Sequence, residues 1–543
     1  MNFYFTGNYT TNFIAKEYKK YSKYNTDVGE YCQYFQDIIF SDSFYNQKEY
    51  DFTLVFLDGS ELVSSLKNIK EIKGHIEDIV QKFLENRRKG YLIFSNVHIN
   101  TDVNSLWNYN QSENNKKLQS EINLFLNELA VKHDRFFVLD ILSIIEEFGV
   151  KNLYDFSTWI YGKNRFNKKG LKLLSLEILY LVNSILSKRK KCLVLDLDNT
   201  LWGGIIGEDG INGIQLSSDG VGDIYKKFQE EILKIKNKGI ILAICSKNNQ
   251  EDAKEVFDNH PFMILKWNDF IIHKVNWDLK SQNIQSIAKE LNIGEDSLVF
   301  IDDNPMERKI AKEQTSCIVP EFPDDIFNLL NFITDVGKKY FSIQNILDED
   351  INKTNQYKEN IQRNDFERSF KNYVDFVSSL SVSLTIFKNN NEHINRVAQM
   401  TQKTNQFNFT TKRYSTEDIK FFVDNKDYDV YTGHVIDRFG DFGVVILAIA
   451  KIEKNQIVFD TFLMSCRVIG KLVEDKFLEF ISKDCKKQKI VLEYFKTKKN
   501  VLIESRLEKM GFNPKQIKDD YKLYSIDTPI EVDNNLKLEV NYE

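Results

Sequence analysis

Residues 191–202 read Lys-Cys-Leu-Val-Leu-Asp-Leu-Asp-Asn-Thr-Leu-Trp, an apolar run that breaks into Asp196, Asp198 and then Thr200. The pattern predicts a buried strand that ends in chemistry. Parallel strands covered on both faces bind ligands at their carboxyl ends, so two acids there meet at the mouth of a crevice. Unpaired like charges so close are costly unless a cation or a hydrogen-bond network holds them. A magnesium ion is the economical explanation, and an aspartate-rich turn after a core strand is the alternative. The same sequence of events recurs downstream. A strand over 240–245 ends in Ser246-Lys247-Asn248, and a strand over 298–301 ends in Asp302-Asp303-Asn304-Pro305. Between them Lys280 opens an amphipathic stretch through Ile284, Ile287, Ala288 and Leu291. Three strands thus end in polar residues, in the order Asp-x-Asp-x-Thr, Ser and Asp-Asp, with a lysine at a helix start before the last, and four such features in order are a joint signal that none of them gives singly.

These residues need a sheet to carry them. A helix over 224–238 with Ile224, Phe228, Ile232 and Ile235 on one stripe stops at Gly239, as the α/β alternation requires. Ser246 follows Asp196 by 50 positions and Lys280 follows Ser246 by 34, with a glycine-rich flap over 203–213 in the first interval. Neither interval leaves room for a large inserted domain, so something else must exclude water from the site, and another domain of this chain or a macromolecular substrate would serve. Residues 1–188 also alternate, with strands expected at 2–5, 52–57, 91–94 and 136–139. Residues 346–377 read as a helical connector. Beyond it, strands at 430–436, 444–452 and 457–464, mostly antiparallel, lead into Ser465-Cys466-Arg467-Val468-Ile469-Gly470-Lys471, a helix, a strand at 490–494 and a helix at 501–510. A turn that opens a helix offers free N–H groups to a phosphate.

Composition narrows the classes. The 543 residues carry 73 basic and 79 acidic side chains for a net charge of -6, so no nucleic acid is expected as partner. The first residues lack a basic start and a long apolar core, which predicts no secretion signal, and the longest apolar runs are too short to span a bilayer. Cys32, Cys192, Cys245, Cys317, Cys466 and Cys485 show no disulfide or metal-ligand spacing, which points to a reducing cytoplasm and to any important cysteine working as a thiol. His273 and His434 read as structural.

The four strand-end motifs resemble those of the haloacid dehalogenase (HAD) superfamily. The resemblance implies Asp196 as nucleophile, Asp198 as general acid and base, Thr200, Ser246 and Lys280 as phosphate-binding, and Asp196, Asp198, Asp302 and Asp303 around Mg2+. Residues 1–188 resemble the SGNH hydrolase fold, with Arg165-Phe166-Asn167-Lys168-Lys169-Gly170 where that family has His-x-Asn-x-x-Gly and Thr6-Gly7-Asn8 where it has Gly-Asp-Ser. A triad needs nucleophile and base together, so a structural or docking role is expected of this domain. The strand, Arg467-x-x-Gly470 turn and helix resemble the cofactor site of the GNAT acyltransferases, although Leu472 stands at that family's last small position. Arg467 and Gly470 are then the candidates for a carrier's pantetheine.

With Lys403-Thr404-Asn405-Gln406-Phe407-Asn408 added, the motifs jointly resemble the FkbH-type branch of the superfamily. The expected class is α/β in three domains: a degenerate SGNH-like domain over 1–188, a HAD Rossmann-like parallel sheet with minimal cap over 189–345 and, after the connector, a GNAT-like α+β domain over 378–543. The family implies transfer of a glyceryl unit from 1,3-bisphosphoglycerate through a cysteine thioester to an acyl carrier protein, with removal of phosphate. Cys466, beside Arg467 and a helix start, and Cys245, beside Ser246, are the candidate thiols, and acylation of neither also stays open. A magnesium-dependent phosphatase of a small metabolite and a non-enzymatic carrier-docking scaffold are the alternatives.

Overall fold

The computed structural model of the 543-residue chain describes residues 1–66, 68–87, 89–100, 115–343, 359, 363, 366, 370, 373–404, 406–486, 489–497, 500, 502–518, 521–530 and 539–542. Most of the expected connector at 346–377 lies outside them. The chain divides into two compact units, Met1–Asn183 and Ser184–Glu543. Among the described residues no helix is long and apolar enough to cross a membrane.

The first unit holds strands β1 (Asn2–Gly7), β2 (Asn25–Val28), β3 (Phe52–Phe56), β4 (Tyr91–Ser95) and β5 (Phe136–Leu139). They form one parallel sheet in the order β2-β1-β3-β4-β5. β3 is buried at every residue, as a strand covered by helices on both faces must be. The helix Ile69–Asn86 shows how the cover is made, burying Ile72, Ile76, Ile79, Val80 and Phe83 on one stripe behind an Asn68 cap that accepts from Glu71 N at 3.0 Å. β2 was not expected from the sequence. Its Asn-Thr-Asp-Val carries no apolar alternation because it is an edge strand with one neighbour.

The second unit opens with β6 (Cys192–Leu195), β7 (Ile241–Ser246), β8 (Phe270–Val275) and β9 (Leu298–Ile301), parallel in the order β8-β7-β6-β9. β8 was also missed by the sequence reading. Side chains alternate between two packed faces. Leu193, Leu195, Leu242, Ile244, Val299 and Ile301 meet the helices Gly220–Asn237 and Leu329–Phe341 on one face. Cys192, Val194, Ala243, Cys245 and Phe300 meet the helices Lys280–Glu290 and Pro305–Gln314 on the other. The helix Gly220–Asn237 ends before Gly239, whose φ of +82° suits glycine. Order reverses at β6, with β7 on one side and β9 on the other, so the carboxyl ends of β6 and β9 flank a topological switch point.

The remaining sheet contains β10 (Ser383–Lys388), β11 (Phe407–Asn408), β12 (Tyr428–Asp437), β13 (Gly440–Ile452), β14 (Gln456–Met464), β15 (Lys489–Phe495), β16 (Asn513–Lys518), β17 (Tyr521–Asp527) and β18 (Glu539–Tyr542). Its order is β16-β17-β15-β14-β13-β12-β10-β18, with β11 paired to β14 off that path. The expected strands at 430–436, 444–452, 457–464 and 490–494 fall within β12 to β15; β10, β11 and β16 to β18 were not expected. β12, β13 and β14 pair antiparallel, whereas β14 and β15 are parallel, joined by the helix Val473–Asp484. Asn500 is fully buried behind β15 and donates from Nδ2 to Asn408 O at 3.1 Å and Phe495 O at 2.9 Å. Asn500→Ala removes the amide that joins these two segments and is expected to lower unfolding free energy by roughly 2–3 kcal/mol, read as a lower denaturant midpoint at unchanged slope.

Candidate active site

Asp196 follows β6, Ser246 ends β7 and Asp302 follows β9, so the sheet order carries these three groups to one crevice, and the helix Lys280–Glu290, packed on the sheet, brings Lys280 to it. The Asp302-Asp303-Asn304-Pro305 sequence turns strand into helix: Asn304 Oδ1 caps Met306 N at 2.9 Å and Pro305 takes the first helical turn. Arg308 clamps this corner, donating from Nη1 to the carbonyls of Asp302 at 3.0 Å and Asp303 at 2.5 Å.

Lys280 is the electrostatic centre. Its Nζ donates to Asp196 Oδ2 at 2.7 Å and to Asp302 Oδ2 at 2.6 Å, and all three residues are buried. Burial acts to lower the lysine's pKa, but Asp196 and Asp302 outweigh it and hold the ammonium above its ordinary range. Asp302 is pushed up to about 7, by burial first and then by the neighbouring Asp196 carboxylate, against the pull of Lys280. Asp303 rises to about 6 for the same reasons in the same order. Three carboxylates, Asp196, Asp302 and Asp303, place oxygens within 4.8 Å of one another. One lysine does not satisfy them: Asp196 Oδ1 is buried with no hydrogen-bond partner. An orphaned carboxylate oxygen beside two acids whose burial favours protonation is what a hard divalent cation completes, so these residues fit Mg2+.

Asp198 stands apart from that cluster in its bonding. Its Oδ1 accepts from Trp202 Nε1 at 2.9 Å and Ile206 N at 3.1 Å, and its Oδ2 accepts from Asn248 Nδ2 at 2.9 Å. Burial still raises its pKa, with those three bonds opposing. The Ile206 bond ties it to the glycine-rich flap, where Gly203 and Gln215 exchange backbone bonds at 3.1 and 2.7 Å and Gly204 adopts φ +94°. Asn248, Trp202 and Arg308 were given no role by the sequence reading. Trp202 and Asn248 lay inside motifs already picked out, four positions after Asp198 and two after Ser246, whereas Arg308 gave no local signal. Ser246 is buried at the β7 end, and Thr200 is buried with Oγ1 unpartnered.

No protein-family model matches the sequence, and no curated protein matches it. Among solved structures, the N-terminal part of the protein BF1531 from Bacteroides fragilis, which contains a phosphatase domain and is complexed with Mg, matches at 32% identity and a TM-score of 0.58. The match covers 63% of this chain and 93% of that one. The chain belongs to the BF1531 family. Smaller likenesses are to the ribosomal-protein-S18-alanine N-acetyltransferase of Escherichia coli, at 11% identity and TM-score 0.22 over 28% of this chain and 97% of that one, and to the GNAT domain of S. lividans PAT, at 13% and 0.21 over 25% and 86%.

In this member of the BF1531 family the two candidate thiols differ in setting. Cys245 neighbours Ser246 but points to the opposite face of β7, where it is fully buried and its Sγ donates to Lys280 O at 3.6 Å. Burial pushes that thiol well up, so it has neither the access nor the ionisation of a nucleophile in this structure. Cys466 opens the short turn Cys466–Val468 after β14, and its side chain lies outside the described residues. Arg467 donates from Nε to Ser465 Oγ at 3.2 Å, Gly470 has φ +89° and Leu472 φ +60°. The helix that follows begins with buried Glu474 and half-buried Asp475, both bonded to Arg506. Burial raises Glu474 to about 7, and its Oε2 has no partner. Acidic side chains in that first turn oppose a phosphate there.

In the first unit, Arg165 forms a two-point pair with Asp58, with Nη2 to Oδ1 at 2.9 Å, and lies 3.8 Å over the Trp159 ring. A permanently charged guanidinium bonded in this way has no base to offer.

The cluster's pH behaviour has a defined sign. Asp302 and Asp303 bind protons in the folded, cation-free chain up to about 7 and about 6, above the unfolded carboxylate value of roughly 4. The native state then holds more protons than the unfolded one across this window, so cation-free stability falls as pH rises from about 4 to about 7. Mg2+ must displace those protons. The shift in melting temperature on adding Mg2+ is expected to be larger at pH 8 than at pH 5.5, and equal shifts would contradict the cluster as ligand.

Proposed function

We propose that this chain is a magnesium-dependent phosphoryl-transfer enzyme of the FkbH type. The observation that carries the reading is the convergence of Asp196, Asp302 and Asp303 on one point, with Asp196 Oδ1 unpartnered and Lys280 bridging Asp196 and Asp302. The Mg2+ in the BF1531 structure supports it. Asp196, Asp302 and Asp303 would hold the ion, which when bound offsets the charge of the incoming phosphoryl group.

Asp196 attacks phosphorus: an Asp196 oxygen–phosphorus bond forms as the bond to the leaving oxygen breaks. Asp198, kept protonated more readily by its burial, gives its proton to that leaving oxygen. Water then attacks the aspartyl phosphate, Asp198 takes the water's proton, and phosphate departs with Asp196 restored. Lys280 and Ser246 hold the phosphoryl oxygens as negative charge accumulates. Asn248, Trp202 and Ile206 N orient Asp198 through both its oxygens.

The finer reading is that a cysteine thiolate takes the glyceryl carbon of 1,3-bisphosphoglycerate as a thioester with loss of the acyl phosphate. The site above then removes the remaining phosphate, and the glyceryl unit passes to the thiol of an acyl carrier protein. Of the two candidates the setting of Cys245 favours Cys466. The test is intact mass after brief exposure to Mg2+ and freshly generated 1,3-bisphosphoglycerate, for wild type beside Cys466→Ser, Cys245→Ser and Asp196→Asn. The expected result is a glyceryl adduct lost only in Cys466→Ser and a phosphoglyceryl adduct persisting in Asp196→Asn. Phosphate release with no adduct on any form would leave a phosphatase of a small metabolite.

A further inference from the structure

β14 and β15 begin as a parallel pair, Gln456 beside Lys489 through Phe459 beside Leu492, and then part. Parting strands leave two inner edges of N–H and C=O groups that must find partners. An extended chain bearing amides, such as phosphopantetheine, fits such an opening as an added strand. Here the opening is taken. Phe407 and Asn408 of β11 register antiparallel against Met464 and Leu463 of β14, and Phe409 N donates to Phe462 O at 3.1 Å. On the other edge Phe495 N donates to Phe409 O at 2.9 Å, and Asn500 bonds the carbonyls of both Asn408 and Phe495. Phe407, Asn408, Phe409 and Thr410 are all buried, and Phe409 stacks on Phe462 with centroids 5.0 Å apart and rings 11° from parallel. This strand is the end of the Lys403–Asn408 motif, which the phosphoryl chemistry leaves without a role.

We propose that the chain's own Phe407–Phe409 strand is the permanent occupant of the cleft between β14 and β15, so that neither coenzyme A nor a carrier's phosphopantetheine arm enters it. Removing the strand would strip two buried aromatic rings from the core and the Asn408 acceptor from Asn500, and a pantetheine arm has amides to replace the backbone bonds but no rings to refill the space. The inference rests on the proposed acyl transfer only in supposing that an arm visits the chain at all. In that case the arm meets the acyl thiol outside the sheet.

Amide hydrogen exchange on the full chain tests this, read over the segment 406–410 and at Phe495, for the free protein, with saturating coenzyme A, and with a phosphopantetheinylated acyl carrier protein. The expected result is slow exchange unchanged by either probe. Faster exchange in 406–410 with either probe shows the strand leaving and overturns the proposal. A second arm uses Phe407→Cys with Met464→Cys, neighbours in register, to lock the strand by a disulfide. Acyl transfer to the carrier unchanged on oxidation supports the proposal, and transfer lost on oxidation and regained on reduction overturns it. Should wild type transfer no acyl group, the acyl-transfer part of the proposed function falls, while the exchange measurement still decides the fate of the strand.

Discussion

Asp196→Asn is expected to reduce phosphate release by a factor of roughly 10^4 or more while leaving the fold intact. The amide keeps the shape of the side chain and can still sit beside Lys280, but it is a poor nucleophile and a poor cation ligand. Because Asp196 also contributes to raising Asp302 and Asp303, the substitution has a second signature. With that carboxylate gone, both remaining acids titrate lower, and cation-free stability at neutral pH should rise rather than fall. A phosphate-release assay and a melting curve in chelator check the two halves. Full activity would end the assignment of Asp196 as nucleophile, and a large loss of stability would show that the carboxylate is a structural partner of Lys280 first.

Lys280→Met is the complementary experiment, and its sign is opposite. The thioether fills much of the same space but leaves Asp196 and Asp302 facing each other without the shared ammonium. Removing one partner of a buried ion pair costs about 3–5 kcal/mol, and here part of that loss is recovered when a carboxylate takes up a proton. The variant should therefore be least stable at high pH, regain stability as pH falls to about 5, and respond to Mg2+ more strongly than wild type. Phosphate release should fall by about 10^2–10^3, the usual cost of losing one preorganised electrostatic contact to the reacting group. Melting curves across pH with and without Mg2+, beside the phosphate assay, read all of these. A variant that melts like wild type at every pH would show that the three carboxylates do not depend on the lysine for their charge balance.

How much of this was legible beforehand follows from how local each signal is. β6, β7 and β9 announce themselves as short apolar runs broken by polar residues, and a strand ending in Asp, Ser or Asp-Asp can be read from a handful of neighbours. β8 was missed because Phe-Ile-Ile-His-Lys-Val mixes apolar and charged residues, and its place at the sheet edge permits this. β11 has two residues and no periodicity at all; it is a strand only because β14 and β15 part and leave edges to be filled. The rivalry between Cys245 and Cys466 was open for a related reason. Adjacent residues of a strand face opposite ways, so standing next to Ser246 says that Cys245 does not share its side of the sheet.

The sequence by itself determined which chemistry-bearing residues stand at strand ends, their order along the chain and the room left between them for a cap. Those properties depend on near neighbours and on counting. Only the tertiary structure decided that Lys280 bridges Asp196, 84 positions away, and Asp302, 22 away, that Arg165 is spent on Asp58 at a separation of 107, and that an internal strand fills the cleft beside β14. Such pairings are chosen by strand order and by the need to satisfy buried charge and backbone, and both are settled when the whole sheet closes rather than along any one segment.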